Sequence, residues 1–180
     1  MTASDTALAV SLIGAPTDVG AGCIGARMGP SALRVAGIVR AIAEFGIDVR
    51  DCGDLHGPAN PEQAAVHGFR HLAQVAQWSR LLHEATLIEL RAGRLPIMLG
   101  GDHSLAMGSI SAVATRPKRP ATSTSSLPVE RAMDWRVGVI VVSLQVAHVR
   151  QHAVAEELHA LRDHFVGEVA HLHREIEDAV

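Results

Sequence analysis

The feature that most constrains this fold is a short apolar run, Leu95–Leu99, which ends in Gly100-Gly101-Asp102-His103-Ser104. An apolar run of this length, bounded by paired glycines, predicts a buried strand. In open α/β sheets, ligands bind outside the carboxyl ends of the strands. The sequence therefore predicts that this strand delivers a polar cluster to a sheet edge, where His103 is a candidate metal ligand or catalytic base.

Strands and helices alternate along the first two thirds of the chain. A short apolar run ended by turn residues predicts the first strand, and alternation of apolar and polar residues predicts the second. Pro30 in the first turn, with apolar residues at helical spacing, predicts a helix between them. Strands alternating with helices indicate an α/β fold with a mainly parallel sheet covered on both faces. The predicted strands are Leu8–Ile13, Ile47–Cys52 and Leu95–Leu99, and the predicted helices are Gly29–Phe45, Glu62–Ala92 and Ser104–Ala114.

The composition of the sequence changes at about Ala114, where regular apolar spacing gives way to Pro, Ser and Thr. The stretch 115–128 reads TRPKRPATSTSSLP and lacks apolar periodicity, which is typical of a linker. Residues 137–144, VGVIVVSL, predict a strand, and the segment from about 146 to 180 predicts an amphipathic helix. We thus expect an α/β part over 1–114, a linker or irregular part over 115–136, and a strand plus long helix over 137–180. The helical stripe consists of Val154, Leu158, Leu161, Phe165, Val169, Leu172 and Ile176.

Composition excludes several classes of partner. The net charge of −3 and an aromatic content of 3% without Tyr argue against nucleic acid and against an anionic membrane surface. No apolar run is long enough to span a bilayer, and the first residues lack the basic charge of a signal peptide. Cys23 and Cys52 do not form a disulfide framework, so we expect two free thiols and a cytoplasmic location.

Four segments, in this order, resemble the arginase (ureohydrolase) family over about residues 8–114. They are Ile13–Pro16, Gly29–Arg34, Asp51–Leu55 and Gly100–Ser111. The resemblance implies a three-layer α/β fold with a parallel sheet and a binuclear Mn²⁺ site. It also implies hydrolysis of L-arginine to ornithine and urea, although relatives act on agmatine, guanidinobutyrate or formimidoylglutamate. In such sites two metal ions share a water, lower its pKa and direct hydroxide at an electrophilic carbon.

The resemblance assigns one metal ligand in this chain, His103, and implies that Asp102 supports the site without binding metal. The family's other ligands come from DAHxD and DxDxxDP motifs, and neither string occurs here. We therefore expect an incomplete arginase-type sheet and a truncated protein that is inactive as it stands, with its catalytic residues unassigned. Asp51 and Asp54 are either acid/base residues or carboxylates that cap turns.

Two questions stay open at the level of sequence. The loss of resemblance after about Ala114 is compatible with a frameshift, a fusion or divergence. The alternative function is that of a non-catalytic interaction or oligomerisation protein, including a homo-oligomer, acting through the helix from about 146 to 180. His148 and His152, at i and i+4, have a spacing that allows a shared metal, but a solvated helix face is the favoured interpretation. Four further histidines lack the spacing of a recognised metal site (His159, His164, His171 and His173), and three are expected on the exposed face of the long helix (His67, His71 and His83).

Overall fold

A four-stranded parallel sheet forms the centre of the molecule. The computed structural model describes residues 8–22, 24–115, 140–143 (backbone) and 167. The strands are β1 (Ala9–Ala15), β2 (Asp48–Asp54), β3 (Leu95–Gly100) and β4 (Ile140–Ser143), in the order β2-β1-β3-β4. All three pairings are parallel, which confirms the α/β sheet predicted from the alternation of elements.

The central strands are continuous apolar runs because both of their faces are covered. Every residue of β3 is buried, and β1 is buried from Val10 onward. β2 lies at the edge of the described sheet, and its alternating Asp48 and Arg50 remain exposed. Charged side chains on an edge strand discourage pairing with other chains.

Within the described ranges, the two faces of the sheet are covered by four helices. They are α1 (Gly29–Val35), α2 (Ile38–Ala43), α3 (Leu72–Arg91) and α4 (Ala106–Thr115). α1 and α2 cover one face of the sheet, where their apolar residues join a core cluster of Val10, Leu12, Leu33, Ile38, Ile42, Leu95, Ile97 and Leu99. α3 covers the opposite face through a second cluster that includes Ile13, Ala15, Val75, Trp78, Leu82 and Met98. α4 packs beside α3, where Ser111 hydrogen-bonds to His83.

The first two crossovers between strands have the same hand. The chain passes from β1 to β2 through α1 and α2 on one face, then returns across β1 to β3 through α3 on the other face. The second connection runs along the sheet in the opposite direction to the first and on the opposite face. The two reversals together give both connections the same hand. The step from β3 to β4 continues in the same direction along the sheet, and the described part of this connection, α4, lies on the α3 face.

Two helix predictions need correction. The helix predicted from Glu62 begins only at Leu72, so His67 and His71 lie in the preceding loop. Both histidines have positive φ, 50° and 43°, which is incompatible with a right-handed helix. The helix predicted from Gly29 to Phe45 is broken at Gly37, where φ is 84°, and its second part ends at Ala43.

Some predictions fall largely or wholly beyond the described residues. These are the linker over 115–136, whose first residue ends α4, and the amphipathic helix from about 146 to 180, of which the structure describes only Gly167. The strand predicted over 137–144 is present at least from Ile140 to Ser143. The division of the chain into three segments therefore stays a prediction.

Candidate metal centre

The polar cluster follows β3 directly, as the sequence predicts. Gly100 ends the strand, Asp102 is extended, and His103–Leu105 form one 3-10 turn that leads into α4. The loop after β1 lies against this corner so closely that a Cβ on Gly101 would be 1.8 Å from the carbonyl oxygen of Thr17. The glycine is needed here because two backbone segments meet without room for a side chain.

Asp102 joins the two loops through its carboxylate. Its side chain is buried, with 5% of the residue exposed. Oδ2 accepts a hydrogen bond from the Gly20 amide at 2.8 Å, while Oδ1 accepts from the Ser104 amide at 2.8 Å and from the Ser104 hydroxyl. Both oxygens are thus engaged within the protein, which supports a positioning role for Asp102 and leaves it poorly placed to bind a metal.

His103 lies on the surface beside this buried carboxylate. Mn²⁺ prefers carboxylate and water oxygens together with some imidazole, and a binuclear site needs several such donors. Among the described residues, no group of three or more His, Cys, Asp or Glu side chains is arranged to hold a metal ion. The described residues around His103 therefore do not supply the donors that a binuclear manganese site needs.

A second carboxylate, Asp18, holds the other end of the loop after β1. Asp18 Oδ2 accepts from the Gly25 amide at 2.9 Å, and Oδ1 accepts from Asn60 Nδ2 at 3.0 Å. Burial raises the pKa of the Asp18 carboxyl, but these hydrogen bonds outweigh it and hold the pKa below its ordinary value. Sequence reasoning did not find Asp18, because nothing in its immediate neighbours signals a contact with Asn60.

Arg34 connects two of the segments that carry the family resemblance. Its guanidinium binds Asp51 in a bidentate pair, at 2.7 and 2.9 Å, and contacts Asp54 at 2.5 Å. The hydrogen bond from Arg34 holds the pKa of Asp51 below its ordinary value, and the same pair raises the pKa of Arg34. Asp51 and Asp54 therefore hold α1 against the end of β2, and this contact accounts for both carboxylates without an acid/base role.

Another polar cluster lies under α3, toward the amino-terminal ends of the strands and away from the Asp102 corner. The Ser11 hydroxyl donates to buried Glu89 at 2.6 Å, and Arg50 pairs with the same carboxylate. Arg94 donates to Ser11 Oγ at 2.7 Å and also contacts the Val10 carbonyl and Asp48. Burial raises the pKa of Glu89, but the hydrogen bonds from Ser11 and Arg50 outweigh this effect and keep the pKa below its ordinary value.

The two cysteines are predicted from the sequence to be free thiols. Cys52 is a free, exposed thiol, and Cys23 lies outside the described residues.

Comparison with known proteins assigns the family. A sequence model described as "Arginase family" matches residues 8–122, which is more than half of the chain. The chain belongs to the arginase family. This confirms the resemblance predicted from four ordered segments, and the match extends a few residues into the predicted linker.

Individual relatives agree with this assignment. The chain is 36% identical over 109 residues to an arginase from Brevibacillus brevis, which covers 61% of this chain and 37% of the relative. It is 38% identical over 125 residues to an arginase from Agrobacterium fabrum, covering 69% of this chain and 36% of the relative. The crystal structure of Bacillus cereus arginase superimposes with a TM-score of 0.54 at 40% identity, covering 62% of this chain and 36% of that one.

The chain thus spans a little over a third of the length of the relatives it matches. The incomplete arginase-type sheet predicted from sequence is confirmed by these structural neighbours. Within the described part of the chain, no helix is both long and apolar enough to cross a membrane.

Proposed function

We propose that this chain is an arginase-family scaffold that retains one metal ligand, His103, and does not release urea from L-arginine by itself. The observation that carries the proposal is the donor set at the end of β3. His103 stands exposed there, and Asp102, its nearest neighbour in sequence, is committed to Gly20 and Ser104. The DAHxD and DxDxxDP motifs that would complete the family's site are absent from the sequence.

By family resemblance, Mn²⁺ is the cofactor and L-arginine, or another guanidino compound, is the substrate that a complete site would take. A resident pair of manganese ions would supply an activated water for hydrolysis. The residues of this chain contribute a rigid corner that presents one imidazole, and no step of the reaction can be assigned to them. The cytoplasmic location inferred from the free cysteines belongs to the same proposal.

Metal content and urea release test the proposal together. The full chain is equilibrated with Mn²⁺, desalted, and assayed for bound manganese and for urea formed from L-arginine, with Bacillus cereus arginase as the positive control. We expect fewer than two Mn²⁺ per chain and no urea above the protein-free rate. Two tightly bound Mn²⁺ per chain accompanied by urea release would overturn the proposal.

A substitution at His103 sharpens this result. Because its side chain is exposed, we expect His103→Ala to leave the folded state intact. Any residual Mn²⁺ that disappears in this variant is bound at His103, whereas manganese that remains is bound elsewhere. If the wild-type chain does form urea, loss of that activity in His103→Ala identifies the candidate centre as its source.

A second candidate function is interaction with another protein or a second copy of this chain through the helical segment from about 146 to 180. The apolar stripe of this segment, from Val154 to Ile176, favours it because such a stripe needs an apolar partner. Cross-linking between isotope-labelled and unlabelled chains distinguishes a second copy from a contact within one chain.

A further inference from the structure

α4 has the composition of a buried helix but is covered on only part of its circumference. Its sequence, AMGSISAVAT, contains no charged residue. A helix that is apolar or small all round is normally enclosed by protein. Yet Met107 is 56% and Ile110 is 60% exposed, so one side of α4 lacks a covering layer.

The contacts of α4 show which side is open. Ser109 faces the sheet, where its hydroxyl lies 3.5 Å from Met98 Sδ, and Ser111 faces α3 through its hydrogen bond to His83. At 3.6 residues per turn, Ile110 then projects away from both neighbours, toward solvent and toward the side beyond β4. We call Met107 and Ile110 the open face of α4.

The topology indicates what covers the open face. β4 is hydrogen-bonded to β3, so the chain leaves Ser143 at the sheet edge next to α4. β4 is the described strand farthest from β2, so a helix that follows it and continues the order of α3 and α4 on the same face would lie on the side of α4 opposite α3. Residues 144–180 follow at this point, and their stripe from Val154 to Ile176 requires an apolar partner.

We propose that residues 146–180 dock in the same chain on the open face of α4, with the apolar stripe from Val154 to Ile176 against Met107 and Ile110. The short connection from Ser143 to Val154 makes this an intramolecular contact. A tether of this length gives an effective concentration in the millimolar range, well above that of a second copy in dilute solution. At 100° per residue, four acidic residues of the segment (Glu156, Asp163, Glu177 and Asp178) then lie on its solvent side, and three more (Glu157, Glu168 and Glu175) flank the stripe.

Photo-cross-linking in the full chain tests the proposal. A benzophenone amino acid replaces Ile110, and in a matched control it replaces Ile88 on α3, which is equally exposed at 61%. Isotope-labelled and unlabelled chains are mixed before irradiation, so that cross-links within a chain are distinguished from those between chains by mass spectrometry. We expect cross-links from position 110 to residues 154–176 within one chain, at least tenfold more than from position 88.

A change in the segment provides an independent readout. Phe165→Asp places a charge in the apolar stripe and is expected to reduce the cross-links at least fivefold and to speed amide exchange in α4. Asp163→Asn, on the side of the helix opposite the stripe, is the control and is expected to change neither. Mixed-isotope cross-links would assign the open face to a second copy, and equal yields from positions 110 and 88, or none to residues 154–176, would show that the segment does not dock there. Either result overturns the proposal.

Discussion

A single guanidinium, that of Arg34, links two segments that are separate in sequence. Neither the helix start at Gly29–Arg34 nor the turn Asp51–Leu55 reveals from sequence alone that they touch. In the structure Arg34 and Asp51 are about a quarter exposed and form a bidentate pair. Planar pairs of this kind are stronger than ordinary surface ion pairs because both groups are held in fixed geometry.

Removal of this guanidinium should destabilise the fold. We expect Arg34→Met to lower the free energy of unfolding by about 2 kcal/mol, because two partly buried carboxylates lose their partner. Urea denaturation at pH 7 measures the effect. The control is Arg40→Met, which removes an exposed pair with Glu44 at 3.8 Å and should change stability by less than about 0.5 kcal/mol.

The same pair predicts a pH dependence with a definite sign. The pKa of Asp51 is lower in the folded chain, so its stabilisation is complete above the unfolded pKa of about 3.9 and is lost as the pH falls through the folded pKa. The stability difference between the wild type and Arg34→Met should therefore shrink below about pH 4. A difference that stays constant down to pH 2 would contradict this assignment.

Gly101 offers a second prediction for a single residue. A Cβ there would collide with the Thr17 carbonyl oxygen, so Gly101→Ala must displace one of two packed backbones and should cost about 1–3 kcal/mol of stability. Gly22, in the facing loop, has no atom within 4 Å of its Cβ position and serves as the control. Thermal unfolding of both alanine variants compares the two sites, and equal stabilities would refute the close contact.

At the scale of elements, the sequence predicts strands better than helix ends. β1 and β3 are recovered because buried parallel strands are uninterrupted apolar runs. The start of α3 is not, because it depends on a contact distant in sequence. The His71 imidazole lies 2.8 Å from the Val19 carbonyl oxygen and 3.0 Å from that of Gln63. Such tertiary contacts override the helical periodicity of the preceding residues.

The sequence likewise predicts only part of the candidate centre, because the rest depends on contacts between residues far apart in sequence. The glycine pair after β3 indicates the corner, and the motif identifies His103. The loop that packs on this corner could not be predicted, because Asp18 and Asp102 hold it through amides at Gly25 and Gly20 that leave no mark on the sequence.

These two carboxylates predict a reciprocal pattern of amide exchange. Asp102→Ala should speed exchange at Gly20 by at least tenfold while affecting Gly25 little, and Asp18→Ala should do the opposite. The reason is that each carboxylate accepts from one of the two amides. Exchange followed by NMR measures both sites in one sample. A uniform increase in both variants would mean that the loop opens as one unit and would reject separate attachment points.

At the scale of the whole molecule, we expect residues 8–114 to support urea formation when the remainder of an arginase is supplied. The rest of this chain is then what prevents activity. A chimera in which residues 8–114 replace the equivalent segment of Bacillus cereus arginase tests this. Because the two proteins are 40% identical across the aligned region, we expect the chimera to fold, bind Mn²⁺ and form urea. His103→Ala in the chimera should lower activity more than 100-fold through loss of a ligand, since even supporting residues affect metal sites 10–100-fold by rough estimate.

The chimera also has an internal control. Gly22→Ala should leave its activity unchanged, because the added methyl group meets open space. A folded chimera that binds manganese but keeps full activity without His103 would show that this histidine is not part of the centre.

Arg94 has a consequence for how the chain is assembled during synthesis. It precedes β3 by one residue, yet its side chain binds groups of β1 and β2, both of which leave the ribosome earlier. The polar contacts at this end of β1 and β2 are therefore complete only after residue 94 has been synthesised. Because Arg94 directly precedes Leu95, which pairs with Val10, its bond to the Val10 carbonyl also favours this register of β3 on β1.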